Sequence, residues 1–230
     1  MTPEPRAQLG DQGPAGGSGP GELLPYRSAQ GRWVLAAMIL GTSVAGIDST
    51  VVVVALPTIG RNLHAGFQDL QWTVTSYTLT LAALLLLAGS LSDRWGRRRV
   101  FLAGLSWFTL ASVLCAAAPG IGWLIATRAV QGVGGALMTP ASLAIIEAAF
   151  QAADRTRAIG TWAGFSGVSA AIAPFAGGWL LEAGSWRWIF LINVPGGRGG
   201  RSQASGRSLA ADVVKENEMT LGNNFAAPVR

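Results

Sequence analysis

The chain has 230 residues, of which 50% are hydrophobic and only 13% are charged, and its mean hydropathy is +0.38. A soluble domain carries about 25% charged residues, so these composition values nearly exclude an ordinary soluble globular protein. The single cysteine excludes an intrachain disulfide, and the single histidine excludes a histidine-based zinc site. The net charge of +5 would suit nucleic-acid binding, but the placement of the arginines gives another explanation.

The N-terminal segment is rich in Pro and Gly and contains no apolar run. This composition predicts a disordered tail over residues 1–32. It does not resemble a signal peptide, because the first hydrophobic segment begins only at Trp33 and is too long for one.

From Trp33 onward, apolar runs of about 20 residues alternate with short polar breaks, and about 20 helical residues cross the hydrocarbon core of a bilayer. A helix satisfies its own backbone hydrogen bonds in lipid, so these runs predict transmembrane helices and an all-α membrane protein. The predicted spans are 33–56, 72–91, 100–118, 122–146 and 159–181, followed by an incomplete sixth span over 186–195.

The composition changes abruptly after Pro195. The sixth apolar run has the length of about half a bilayer when helical, and residues 196–230 are polar and rich in Gly, Ser and Arg. We expect this tail to be disordered or to be translated out of frame.

The arginines of the spanning region are concentrated on one side. By the positive-inside rule, that side and the N-terminus of this multi-pass protein face the cytoplasm. The positive side holds Arg6, Arg27, Arg32, Arg94, Arg97, Arg98, Arg99, Arg155 and Arg157, and the opposite loops hold Arg61 and Arg187. This distribution explains most of the positive charge without nucleic acid as a partner.

Two charged residues lie inside apolar spans, where each costs about 2.5–3.5 kcal/mol to insert. Asp48 of span one is interpreted either as a proton or cation site, or as an acid hydrogen-bonded to Ser49 or Thr50. Arg128 of span four is interpreted either as a fixed charge for a carboxylate or a substrate anion, or as a side chain that reaches the headgroups. Gln131, one turn further on, favours a polar interior.

Two further segments carry candidate residues. Between spans two and three, an arginine-rich turn combines an acidic residue with a glycine that permits a tight turn, and this favours a charge contact that gates the cytoplasmic side. Span five has a face of small residues, which predicts close helix packing. The loop residues are Gly89, Asp93, Arg94, Gly96, Arg97 and Arg98, and the packing residues are Gly164, Gly167, Pro174, Gly177 and Gly178.

Other chemistry has little support in the sequence. The run Gly132-Val-Gly134-Gly135 lacks the GxGxxG spacing of a dinucleotide loop and lies inside an apolar helix. No catalytic pair, metal cluster or nucleophile with a base is evident. We therefore expect a protein that is not an enzyme and holds neither metal nor cofactor.

Five segments together resemble motifs of the major facilitator superfamily, in particular its drug:proton antiporters with fourteen spans. They are Asp48–Pro57, Trp72–Leu79, residues 89–99, Arg128–Ala136 and Trp186–Pro195, in the family's order and spacing. The resemblance covers about residues 33–195, the N-terminal half of that fold. One departure is Ala173-Pro174 in span five, where the family usually has Gly-Pro.

This resemblance implies the N-terminal helical bundle of the facilitator fold and a location in the inner or plasma membrane. It also implies proton-coupled export of small hydrophobic or cationic compounds such as drugs or antibiotics, driven by a proton gradient without a bound cofactor. Asp48, Arg128 and Gln131 would then serve proton coupling or substrate binding. Since the family's fold needs two bundles, transport would require the missing C-terminal bundle or a second copy. The alternative is a truncated or frameshifted membrane fragment that does not transport and instead interacts with a full-length transporter.

Overall fold

The structure, a computed structural model, describes residues 23–182 and 184–195. This part of the chain is almost entirely helical, and its only β pairing is a single bridge between Leu24 and Phe150. The helices are α1 (Ala29–Leu63), α2 (Phe67–Trp95), α3 (Arg97–Ala116), α4 (Ile121–Ala149), α5 (Ala152–Glu182) and α6 (Trp188–Leu191). The tails predicted over residues 1–22 and 196–230 lie outside the described residues.

The prediction of an all-α membrane protein with five full spans is confirmed, since α1 to α5 are long and apolar enough to cross a bilayer. Four of the five helices extend beyond the predicted span at both ends. The 35 residues of α1 rise about 52 Å at 1.5 Å each, whereas the hydrocarbon core is only about 30 Å thick. Hydropathy detects the lipid-embedded part of a helix, and the polar ends continue the same hydrogen-bonding pattern.

Helix α4 lies at the centre of the packing. α2 and α3 both pack against α4, while α5 packs chiefly against α1. The buried apolar side chains form two clusters. One lies towards the α2–α3 and α4–α5 turns, here called the arginine-rich end, and includes Phe101, Phe108 and Phe150. The other lies towards the opposite end and includes Ile59 and Trp186.

Glycines on α4 allow its two neighbours to approach closely. A Cβ added at Gly134 would lie 2.7 Å from the backbone nitrogen of Phe108 on α3. A Cβ added at Gly132 would lie 2.6 Å from the backbone oxygen of Tyr77 on α2. Both distances are too short for real carbon atoms, so the glycines determine how near α2 and α3 lie to α4.

The small-residue face predicted on span five is largely without such contacts. A Cβ added at Gly164, Gly167 or Gly178 meets no atom of the described residues within 4 Å, whereas one at Gly177 would lie 2.9 Å from Val51 Cγ1. Pro174 lies inside α5 and is exposed. Close approach through glycine is therefore found on α4 but, apart from Gly177, not at the predicted glycines of α5.

The segment before α1 is ordered, which corrects the prediction of a disordered tail over its last ten residues, 23–32. Leu24 donates its backbone N–H to Ala149 O at 2.8 Å and is almost fully buried. The Tyr26 N–H donates to Asp154 Oδ2 at 2.8 Å, and the Tyr26 hydroxyl lies 3.0 Å from Thr161 Oγ1. Ser28 then caps α1 by accepting from Gly31 N. Residues 23–28, here called the N-terminal strap, thus bind to the α4–α5 turn and to the N-terminal part of α5.

The strap contacts predict the effect of Tyr26→Ala. This change removes the hydroxyl contact, the ring contact with Phe150 and the stacking of Arg157, whose Cζ lies 4.6 Å from the ring centroid. A loss of about 1–2 kcal/mol raises the population of the detached strap roughly 5- to 30-fold. The rate of tryptic cleavage after Arg27, measured on detergent-solubilised protein, should rise accordingly. Tyr26→Phe loses only the hydroxyl contact and should change the rate less; equal rates in all three proteins would contradict this assignment.

The packing of α4 predicts opposite effects for one substitution at two glycines. Gly134→Ala places a methyl group against backbone atoms of α3, so it should lower the free energy of unfolding by about 1–3 kcal/mol. Gly164→Ala introduces the same methyl group into open space on α5 and should be neutral or stabilising through helix propensity. Thermal unfolding followed by circular dichroism checks both, and an equal loss at the two sites would refute the packing role of Gly134.

Candidate functional site

A buried ion pair lies between the two apolar clusters. Arg128 Nη1 of α4 donates to Asp48 Oδ2 of α1 at 2.5 Å, and both side chains are at most 1% exposed. Taking two charges out of water is costly, and only good geometry with further hydrogen bonds offsets the cost. The structure therefore brings together the two charged residues that the sequence predicted inside the spans.

Arg128 makes further contacts besides the ion pair. Its Nε donates to Thr73 O of α2 at 3.3 Å, and Nη1 also donates to Gln131 Oε1 at 2.7 Å. The guanidinium Cζ lies 4.2 Å from the centroid of the Tyr77 ring, a cation–π contact. The guanidinium thus has partners that do not depend on the charge of Asp48.

Gln131 connects the ion pair to α3. Its Nε2 donates to Asp48 Oδ1 at 3.1 Å and to Ser112 Oγ at 2.8 Å. Its Oε1 accepts from Arg128 and, at 3.6 Å, from the Cys115 thiol. The predicted polar interior at Gln131 is present, and the arrangement determines which end of the amide faces Arg128.

Asn193 is a member of the site that the sequence analysis missed. Its Nδ2 donates to Asp48 Oδ1 at 2.7 Å and to Ser112 Oγ at 3.2 Å. It lies just after α6, and the buried Trp186 and Phe190 fix this segment by packing against each other. The available signal was an amide in the otherwise apolar run Ile189–Val194, since a polar side chain inside a membrane protein usually faces a polar partner.

The observed contacts exclude the alternative interpretations of the two charged residues. Ser49 Oγ and Thr50 Oγ1 both donate to Gly46 O instead of Asp48. Arg128 is buried and paired, so it does not reach the headgroups.

The arginine-rich turn lies at one end of the bundle, apart from the ion pair. Gly96 joins α2 to α3 with φ 91°, a left-handed conformation that favours glycine. Asp93 Oδ1 lies 4.0 Å from Arg97 Nε, an exposed pair, and Arg97 Nη1 also donates to Ala144 O on α4 at 2.9 Å. The other predicted loop residues lie in α2 or at the start of α3, and they are Gly89, Arg94 and Arg98.

The chemistry available in the middle of the bundle is that of one carboxylate. Among the described residues, no group of three His, Cys, Asp or Glu side chains is placed to hold a metal ion. The ion pair and its amides can exchange a proton at Asp48 or attract a cation, because the carboxylate is the single anionic group of this cluster.

Comparison with known proteins identifies the class. Residues 38–197 match the profile of the Major Facilitator Superfamily, which is more than half of the chain, so the chain belongs to this family. It is 40% identical over 176 residues to the methylenomycin A resistance protein of Bacillus subtilis, covering 76% of this chain and 38% of that protein. It is 38% identical over 175 residues to the tetracenomycin C resistance and export protein of Streptomyces glaucescens, covering 75% and 32%.

Solved structures agree on the fold. A bacterial homolog of the human lysosomal transporter Spinster, crystallised inward-facing and unoccupied, superposes with a TM-score of 0.62 at 22% identity. The match covers 77% of this chain and 42% of that one. The chain thus spans less than half of the solved transporter and about a third of the curated relatives' length.

The buried ion pair predicts that loss of Arg128 destabilises the protein far more than loss of an exposed arginine does. Arg128→Ala leaves the Asp48 carboxylate buried without its cation and should lower the free energy of unfolding by about 3–5 kcal/mol. Arg61→Ala, at an exposed site on α1, should change it by less than about 0.5 kcal/mol. Thermal unfolding in detergent by circular dichroism provides the measurement.

A double variant separates the charge effect from lost packing. Asp48→Asn combined with Arg128→Gln removes both charges, so it should cost less than the sum of the two single changes. Strict additivity would show that the two side chains do not stabilise each other.

Proposed function

We propose that this chain belongs to a proton-driven exporter of small hydrophobic or cationic compounds, of the fourteen-span drug:proton branch. The observation that carries the proposal is the buried Asp48–Arg128 pair with its amide partners. The names of two relatives, a resistance protein and a resistance and export protein, support the direction of transport and the substrate class.

Asp48 is the proposed proton site. Arg128 keeps its charge at any physiological pH, so protonation of Asp48 removes the ionic attraction but leaves the guanidinium with Thr73, Gln131 and Tyr77. Asp48 can therefore gain or lose a proton without leaving Arg128 unpartnered. A cationic compound would be attracted to the same carboxylate, and proton and substrate would then compete.

The arginine-rich end is the proposed cytoplasmic side, where the 89–99 segment gates access. The exposed Asp93–Arg97 pair at the Gly96 turn offers charges to a facing element. A second helical bundle, or a second copy of the chain, would supply that element and close the transport path. Among the five spanning helices, the apolar parts of α2 and α5 have the smallest share of buried residues, which leaves these two helices available for such a contact.

Export is tested with the 230-residue chain in lipid vesicles that carry a pH gradient, using a fluorescent lipophilic cation as the probe. A vesicle with several copies of the chain allows a second copy to supply the facing element. We then expect gradient-dependent movement of the probe that Asp48→Asn abolishes, because this variant keeps the hydrogen-bonding size but cannot ionise. Glu147→Gln makes the same chemical change at an exposed position of α4 and should leave the movement unchanged.

Two outcomes would contradict the proposal. Movement that persists in Asp48→Asn would remove Asp48 from the coupling. A folded chain that moves no probe under any gradient would favour the alternative, a membrane protein that does not transport by itself.

A further inference from the structure

The sixth segment, residues 186–195, contacts the proposed proton site through one side chain. Among the described residues after α5, Asn193 alone donates to Asp48, at 2.7 Å, and it is buried. Its second N–H donates to Ser112 Oγ at 3.2 Å. One amide group therefore joins the sixth segment to α1 and α3 at the carboxylate.

The ionised Asp48 carboxylate is surrounded by donors. Oδ2 accepts from Arg128, while Oδ1 accepts from Gln131 and Asn193. A carboxylate is an acceptor only, and a carboxylic acid carries one O–H that must itself donate. Oδ1 already accepts two hydrogen bonds, so a proton on Oδ1 places a donor against a donor unless one of these two neighbours changes.

Of the three neighbours, Asn193 can change with the smallest loss of hydrogen bonds. Arg128 has no acceptor, so a proton on Oδ2 gains no hydrogen bond from it and weakens the charge-assisted bond that this oxygen accepts. Reversing the Gln131 amide would direct its NH₂ group at Arg128 Nη1, which now donates to Gln131 Oε1 at 2.7 Å. The Asn193 Oδ1, by contrast, accepts no hydrogen bond from the described residues, so reversal of this amide breaks no bond made by that oxygen.

We propose that Asn193 is a positioning residue for the proton site, whose amide presents Nδ2 to ionised Asp48 and reverses to present Oδ1 when the carboxyl is protonated. A hydronium ion supplies the proton and leaves as water; the proton forms an O–H bond at Asp48 Oδ1, and this O–H then donates to Asn193 Oδ1. The Nδ2 contact with Ser112 is lost, so the sixth segment responds to the protonation state of Asp48. This inference rests on the proposed function of Asp48.

The titratable and charged groups around Asp48 are few. α4 contributes Arg128, α2 contributes Tyr77, which packs on that guanidinium, and α3 contributes Cys115, which faces Gln131. The charged residues of α5 lie in its first two turns and at its last residue. Arg187 of the sixth segment donates to Ala118 O at the end opposite to the arginine-rich end. A titration centred on this cluster therefore reports mainly on Asp48.

Infrared spectroscopy of the 230-residue chain in lipid vesicles, taken over a pH series, tests the inference. The carboxylic-acid C=O band that Asp48→Asn abolishes belongs to Asp48, and its growth gives a midpoint pH. Asn193→Leu removes the amide while keeping a similar size. We expect it to move the midpoint by about one pH unit, a tenfold change in proton affinity. Asn193→Gln restores an amide and should move the midpoint back towards the parent value.

The controls separate the two proposals. Asn62→Leu makes the same change at an exposed position of α1 and should leave the midpoint unaltered. An unchanged midpoint in Asn193→Leu would overturn the positioning role, whereas a parent chain without any Asp48 band over the pH series would overturn the proposed proton site.

Asn193→Asp keeps the inference testable if the leucine variant does not fold. It places two carboxyl groups in contact, which should titrate in two separated steps because like charges cannot both ionise at this distance. A single step at the parent midpoint would count against contact between the two residues.

Discussion

The free-energy cost of a carboxylate and a guanidinium inside an apolar bundle constrains the rest of the structure. Neither charge is tolerated there alone, so α1 and α4 must hold Asp48 and Arg128 within hydrogen-bonding distance. The surrounding donors and acceptors come from α2, α3 and the sixth segment. The ion pair therefore sets which helices must converge and at what depth.

Convergence at that depth requires a helix that others can approach closely, and α4 supplies it. Arg128 and Gln131 lie on the same helix as Gly132 and Gly134, within two turns. These glycines allow the backbones of α2 and α3 to lie against α4, so Thr73 O comes within reach of the guanidinium and Ser112 within reach of Gln131. Without this spacing, the polar groups would be too far apart to satisfy one another.

Much of this arrangement could be predicted from local sequence properties. The spans follow from hydropathy, and the high cost of isolated intramembrane charge predicts a polar or charged partner for Asp48 and for Arg128, but it does not show that each is the partner of the other. The packing of glycines was harder to predict, because a row of small residues shows where close approach is possible but not which neighbour faces it. Asn193 was missed for a similar reason: an amide is neutral, so it is a weak signal in an apolar run.

The N-terminal strap shows a second limit of predicting structure from amino-acid composition. Leu23–Tyr26 follow a Pro/Gly-rich stretch, and their order depends on partners more than 120 residues away, on the α4–α5 turn. A hydrogen bond at such separation leaves no periodic pattern in either segment. The disordered tail predicted from composition therefore does not extend through these residues.

In the proposed exporter, the charge balance of the polar cluster would couple proton binding at Asp48 to a conformational change. With Asp48 ionised, the buried pair has no net charge; with Asp48 protonated, Arg128 leaves the cluster with a net charge of about +1. An uncompensated charge in an apolar interior is unfavourable, so the protonated state gains free energy from any conformation that admits water or brings a compensating group. A cationic compound near ionised Asp48 would restrict proton uptake for the same reason. Within the proposed exporter, the exchange of proton for substrate thus follows from one carboxylate whose neighbouring arginine cannot lose its charge.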